Sequence, residues 1–199
     1  MCGRYTLTNK NDIKRKFNVD IEPNFNICPT SKVLVYTNHP QWMEWNYSPR
    51  WAKKPMNLIN ARYETIDEKP SFKHMKRCVF IMDGWYEWKR YFNWNKRENV
   101  KDPYYHHMNS EIIYVAGLYD ESKCVCVTKK SVLPISEIHN RQPLLIEESQ
   151  IDKWTRGDFI LKDFLSKDIQ IHKVSTHVNS PKNNDASCIK PIQKECSKI

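Results

Sequence analysis

The second residue of the chain is a cysteine, in Met1-Cys2-Gly3-Arg4, and loss of the initiator methionine would leave Cys2 with a free α-amine and a thiol on adjacent carbons. Such a 1,2-aminothiol traps aldehydes. Its α-amine has an ordinary pKa of about 7.7–8.0 against about 10.4 for lysine, so roughly a tenth of it is neutral and nucleophilic at pH 7. A lysine stops at the Schiff base, whereas here the thiol can add to the imine carbon and close a five-membered thiazolidine. For an arbitrary protein, residue 2 belongs to a frayed terminus and does none of this, so the remaining polar clusters must decide.

Three clusters could move protons or hold phosphate. Glu87 in Asp83-Gly84-Trp85-Tyr86-Glu87-Trp88 is an acid among aromatic rings, which would desolvate it and raise its pKa toward a useful acid/base range. Asn60, Arg62 and Glu64 alternate in Leu58-Ile59-Asn60-Ala61-Arg62-Tyr63-Glu64-Thr65 and share one face if that segment is extended. His139 and Arg141 stand two apart ahead of Pro143. Taken singly each is a weak signal, because a Glu beside Trp commonly makes a surface ion pair and a single His is commonly structural.

The elements that must position these residues read as a strand-dominated domain with helices at two places. Residues 33–36, 42–47, 79–82, 104–108, 112–119 and 123–128 are rich in β-branched and aromatic types and read as strands. Around 11–17, Ile13 and Phe17 lie four apart on one helical face. Helices are expected again at 150–155, with Ser149 as the cap, and at 159–165; 169–175 reads as a late strand. The polar, basic stretch 89–102 reads as a hairpin tip or loop. Cys124 and Cys126 flank Val125 on one face of a strand, as core rather than as metal ligands. Of only four glycines, Gly3, Gly84 and Gly117 sit within the aromatic and polar clusters, where close backbone approach is the usual reason for glycine.

With 199 residues and no Pro/Gly/Ser-rich linker, the chain fits one domain, 1–192, followed by a loose polar tail, 193–199. No run of 18 apolar residues and no signal peptide is seen, so a soluble protein with no membrane partner is expected. A net charge of +9 suits a polyanionic partner, nucleic acid first. Seven scattered cysteines, an odd number with no C-x-x-C pair, argue for an intracellular, reducing compartment and against a disulfide framework.

In chain order, Cys2-Gly3-Arg4, Asn60-Ala61-Arg62-x-Glu64-Thr65, Asp83-Gly84-Trp85-Tyr86-Glu87-Trp88 and Ile138-His139-x-Arg141-x-Pro143 resemble the SOS response-associated peptidase (SRAP) family, whose members shield abasic sites in single-stranded DNA. Further matches are Phe25-Asn26-Ile27-Cys28-Pro29-Thr30, Trp45 with Pro49-x-Trp51, Ala116-Gly117-Leu118, Thr128 and Val174-Ser175 with Val178-Asn179, so the resemblance spans nearly the whole chain. It implies an α+β fold: a strongly twisted, mainly antiparallel, barrel-like β core flanked by a few helices.

The resemblance also implies roles. Cys2 would form a thiazolidine with the ring-opened aldehyde at C1′ of an abasic deoxyribose, a DNA–protein crosslinking activity with lyase-like chemistry. Asn60 would position the cysteine, Glu87 assist ring opening and proton transfer, and His139 shuttle a proton in imine formation and reversal. Arg4, Arg62 and Arg141 would hold the DNA backbone, Pro29 and Trp51 would wedge and stack beside the lesion, Trp88 would shape the pocket of the acid, and Thr128 would join the DNA contacts. No metal and no organic cofactor is implied. The partner would be single-stranded DNA carrying abasic sites, including single/double-strand junctions, bound by a monomer in nucleus, cytoplasm or nucleoid. Departures are Asn46 after Trp45, Met82 before Asp83, Ala52 beside Trp51 and Gln142 after Arg141; the last bears on a local DNA contact. Two alternatives stay open: a cysteine peptidase that removes its own Met1, and a single-strand binding module with no covalent step.

Overall fold

The computed structural model describes residues 2–109, 111–159, 161 and 168–192. Thirteen strands dominate the described residues: β1 (Tyr5–Leu7), β2 (Asn24–Ile27), β3 (Lys32–Tyr36), β4 (Pro40–Trp45), β5 (Asn60–Arg62), β6 (Lys76–Met82), β7 (Gly84–Asn93), β8 (Glu98–His107), β9 (Ile113–Asp120), β10 (Lys123–Lys130), β11 (Arg141–Pro143), β12 (Leu145–Ile146) and β13 (Gln170–Lys173). Two α-helices are described, α1 (Lys10–Phe17) and α2 (Ile151–Arg156), with short 3-10 turns between strands. The expected α+β class with few helices is what the chain adopts.

The strands form two sheets. One has the order β13-β8-β7-β1-β2; in the other, β10, β4, β3, β6 and β9 pair in a circuit that returns to β10. Pairing is mainly antiparallel, but β10 runs parallel to both β4 and β5. Closing the circuit removes free edges from these five strands, and their inward residues Val35, Met43, Trp45, Phe80, Val115, Cys124 and Cys126 share one buried core. Two of the three fully buried indoles satisfy their N–H groups, Trp45 donating to the Ile59 carbonyl and Trp154 to the Cys78 carbonyl, each at 2.8 Å, while that of Trp85 has no hydrogen-bond partner among the described residues.

The expected strands form with shifted bounds, 42–47 as Pro40–Trp45 and 169–175 as Gln170–Lys173. Of residues 89–102, expected as a hairpin tip or loop, 94–97 form the tip, while 89–93 continue β7 and 98–102 begin β8, since cross-strand partners sustain the ladder from Gly84↔His107 to Asn93↔Glu98. The short strands β1, β2, β11 and β12 were not legible from local pattern. Glu64 leaves the expected extended face, because the chain turns into a 3-10 segment at Tyr63–Thr65. Ser149 does not cap α2; a 3-10 turn at Glu148–Gln150 precedes the helix, whose N-cap Gln150 makes no side-chain cap bond. The expected helix at 159–165 and the tail at 193–199 lie largely or wholly outside the described residues.

Two features fix the entry of the chain. Asp83, buried between β6 and β7, accepts from the Thr6 and Thr8 hydroxyls and from the backbone N–H groups of Thr8 and Asn9. That ties the end of β1 and the start of α1 to the centre of the molecule. Beside it Gly84 has no room for a side chain, since a Cβ there would lie 2.2 Å from the Tyr105 hydroxyl.

Candidate active site

β1 lies between β2 and β7, with Tyr5 opposite Trp85 and Thr6 opposite Gly84, and the Tyr86 N–H bonds the Arg4 carbonyl at 3.0 Å. Continuing that antiparallel register by two places sets Gly3 opposite Glu87. The N-terminal segment is thus laid against the strand that carries the acid. On the other side β10 is flanked by β5, with Cys126 opposite Asn60, and by β11, with Lys130 opposite Arg141. Asn60 Nδ2 donates to the Cys2 carbonyl at 2.8 Å, and its Oδ1 is buried with no hydrogen-bond partner among the described residues.

Cys2 is 1% exposed. A hydrogen bond with the Cys126 thiol, then burial, pushes its pKa well above the ordinary thiol value. Cys2 is therefore a neutral thiol near pH 7 and not a thiolate. Glu87 is also 1% exposed, and burial lifts its carboxyl to about 7 against the pull of positive charge that includes Lys101. His139 Nδ1 stands 3.9 Å from Glu87 Oε1 and accepts the Arg141 N–H at 3.0 Å. Burial first, then neighbouring positive charge that includes Arg90 and Arg141, lowers its pKa below the ordinary histidine value. At neutral pH the pocket thus pairs a half-protonated carboxyl with a neutral imidazole.

A cleft of about 450 Å³ opens onto Glu87 and His139, lined also by Gly3, Arg4, Trp88, Arg90, Lys101 and Asn179. The larger cleft bordered by Tyr36, Arg77 and Asp152, about 670 Å³, contains none of the nucleophile or acid/base groups named above. Trp88 lines this cleft, its indole donating to Asn179 Oδ1 at 2.8 Å. Arg4 also lines the cleft, but its guanidinium is held by Asn26 Oδ1 at 2.8 Å and by the carbonyls of Val178 and Asn179. Asn26 in turn donates to the carbonyls of Val178, Ser180 and Asn183. These bonds clamp the late chain segment over the N-terminal one.

The other expected residues are arranged less uniformly. Arg62 is exposed. Arg141 forms a two-pronged ion pair with Glu64, at 2.7 and 2.9 Å, and also donates to the Thr128 carbonyl and hydroxyl. The pairing holds the Glu64 carboxyl down at about 2. Thr128 is buried, its hydroxyl donating to the Ala61 carbonyl, so it supports Arg141 from beneath. Gln142 is likewise buried and accepts the Val132 N–H at 2.9 Å. Pro29 sits in a turn, and Trp51 is 60% exposed on the connection between β4 and β5. Sequence reasoning missed Arg90, Lys101 and Asn179 as cleft residues and Cys126 as the neighbour of Cys2. The register of β7 with β8 could have indicated the first two once the hairpin was recognised; Asn179 stood within the quoted match Val178-Asn179, and nothing local points to Cys126.

The family model for SOS response associated peptidases matches residues 1–181. The chain belongs to that family. It is 31% identical to the abasic site processing protein YoqW of Bacillus subtilis, over 95% of this chain and 99% of the relative. Identity is 28% to the abasic site processing protein YedK of Escherichia coli, over 96% and 100% of the two chains. It is also 28% to the abasic site processing protein HMCES of mouse, over 75% and 56%. Among solved structures, a Bacteroides thetaiotaomicron protein superposes with a TM-score of 0.73 at 20% identity, covering 94% of this chain and 91% of that one. A phage-related protein of Bordetella bronchiseptica gives 0.66 at 22% identity, covering 87% and 94%. These two likenesses establish the shared fold. No helix among the described residues is long and apolar enough to cross a membrane.

Proposed function

We propose that this SRAP-family chain processes abasic sites in single-stranded DNA by forming a thiazolidine crosslink through a mature N-terminal Cys2. The observation that carries the reading is that Glu87 and His139 line one cleft with a basic rim and share it with Gly3, the neighbour of Cys2, whose carbonyl Asn60 holds, so that four separate stretches of sequence meet there. The names of the relatives, abasic site processing proteins, agree with it.

The electrostatics order the steps. Because the Cys2 thiol is held neutral, the α-amine is the first nucleophile. Protonated Glu87 donates to the sugar ring oxygen while the C1′ hydroxyl gives up its proton to neutral His139, which returns it to Glu87; the deoxyribose opens to its C1′ aldehyde, and the amine attacks that carbon. The carbinolamine loses water to give the imine, with neutral His139 accepting and returning the proton in transit. The thiol then adds to the imine carbon while its proton passes to nitrogen, closing the ring. One water leaves and no net proton is gained. Asn60 fixes the Cys2 backbone so that amine and thiol address the same carbon, and its buried Oδ1 is placed to accept a proton-bearing group of the reacting centre.

Intact-mass spectrometry with an abasic oligonucleotide tests the reading. Expected are loss of Met1, then an adduct at the summed masses less one water, stable to heat. Cys2→Ala abolishes it, and so does any uncleaved N-terminal extension, because an amide nitrogen cannot attack an aldehyde. A stable adduct from either protein would overturn the mechanism. Peptide cleavage without adduct would instead favour a cysteine peptidase.

A further inference from the structure

The β7–β8 hairpin extends past the sheet. β1 pairs with β7 only at Gly84 and Trp85, and β13 pairs with β8 only from Tyr104 to His107, so from Lys89↔Asp102 to Asn93↔Glu98 the two strands pair only with each other. This arm carries five basic and two acidic side chains. Side chains alternate between its faces, and directly opposed residues share a face.

The alternation sorts the charges. On one face stand Glu98 and Asp102, with Lys89 and Tyr91; Asp102 is already taken by Lys173 at 2.5 Å and by the Tyr91 hydroxyl at 2.9 Å. The other face carries Trp88, Arg90 and Phe92 from β7 with Asn99 and Lys101 from β8, and no acid. Lys101 Nζ lies 4.8 Å from the centre of the Trp88 ring. Beyond them Trp94, 81% exposed, packs edge-on against Phe92 with ring centres 4.7 Å apart. Arg90 and Lys101 also line the active-site cleft, and a second hollow that includes Phe92 and Asn99 continues from them along the arm. A basic stripe with interleaved aromatic rings therefore runs from the cleft to the tip.

Large apolar rings left in water beside Arg90 and Lys101, which make no ion pair among the described residues, on a face free of acids, suit a ligand with both π-faces and negative charge. Unstacked bases on a phosphate backbone meet both demands, whereas duplex DNA hides its base faces. Resting on the function proposed above, we infer that this face of the arm is a track for single-stranded DNA flanking the lesion, with Phe92 and Trp94 stacking bases and Arg90 and Lys101 meeting phosphates. An alanine at a stacking position typically weakens binding about 5- to 150-fold.

The test uses undamaged DNA, so that it does not depend on the covalent step. The affinity of wild type and of Phe92→Ala/Trp94→Ala is measured by fluorescence anisotropy for single strands of about 5 and about 20 nucleotides, lengths chosen to fill the cleft alone or the cleft and a flanking site. The double variant should lose at least about tenfold on the long strand and keep wild-type affinity for the short one. It should also crosslink a short abasic oligonucleotide at the wild-type rate, which shows that the fold and cleft are intact. Unchanged affinity for the long strand overturns the inference. So does an equal loss on both lengths, or a loss as large on duplex as on single strands. Failure of wild type to crosslink abasic DNA would sink the proposed function instead, while the length dependence on undamaged DNA would still report on the arm.

Discussion

If Glu87 must be protonated to open the sugar and the α-amine must be neutral to attack, the rate of adduct formation is a bell in pH. The carboxyl sits at about 7, and the amine at about 7.8 in its ordinary state. The productive fraction is the product of protonated Glu87 and neutral amine, largest near pH ~7.4, where each is roughly 0.3. Two units above, Glu87 is almost wholly ionised; two units below, the amine is almost wholly protonated; in each case the rate falls roughly 20-fold from its maximum. The thiol adds no limb in this range because it titrates well above it. Single-turnover crosslinking of abasic single-stranded DNA between pH ~5.4 and ~9.4, read on denaturing gels, measures the profile. In Glu87→Gln the maximal rate should fall by about 10²-fold or more and the alkaline limb should vanish, leaving a rise with amine deprotonation. A wild-type rate that stays level to pH ~9.4, or an alkaline limb that survives in Glu87→Gln, would refute the assignment of the acid.

The same burial makes Glu87 costly to stability. Its folded pKa of about 7 lies above the ordinary 4.5, so the folded state holds a proton that the unfolded state releases, and stability falls as pH rises from 4.5 through 7. Glu87→Gln should therefore raise the melting temperature at pH ~8 by several degrees, the shift amounting to at most about 3 kcal/mol, with little change at pH ~4.5. Arg62→Ala should reduce the salt slope of single-strand binding by about 0.7. Because Glu64 neutralises Arg141, Glu64→Gln should release a cation and tighten DNA binding, which a titration at fixed salt would read directly. Asp83→Asn should cost about 2–3 kcal/mol, seen in denaturant unfolding, since a charged acceptor that joins β1 and α1 to the core is replaced by a half-donor.

What the sequence determined by itself was chemical identity and local pattern. An aminothiol at residue 2, an acid between aromatics and a histidine ahead of Arg141 are legible because reactivity belongs to residue types, and the long strands are legible because a half-buried or buried strand selects β-branched and aromatic side chains. Four motifs in fixed order were enough to identify the family. Short strands such as β1 and β11 escaped, since three residues carry too little periodicity to register. Only the tertiary structure could decide which distant stretches meet. The fold puts Gly3 and Glu87 in one cleft and the Cys126 thiol against Cys2, and β10, shared by β5 and β11, gathers Asn60, Thr128 and Arg141. Burial was decided there too: it makes Glu87 an acid near neutrality, keeps Cys2 a thiol, turns Thr128 into a support for Arg141, and commits Arg141 to Glu64. Those properties depend on desolvation and on neighbours contributed by other strands, and the identity of a residue along the chain fixes neither.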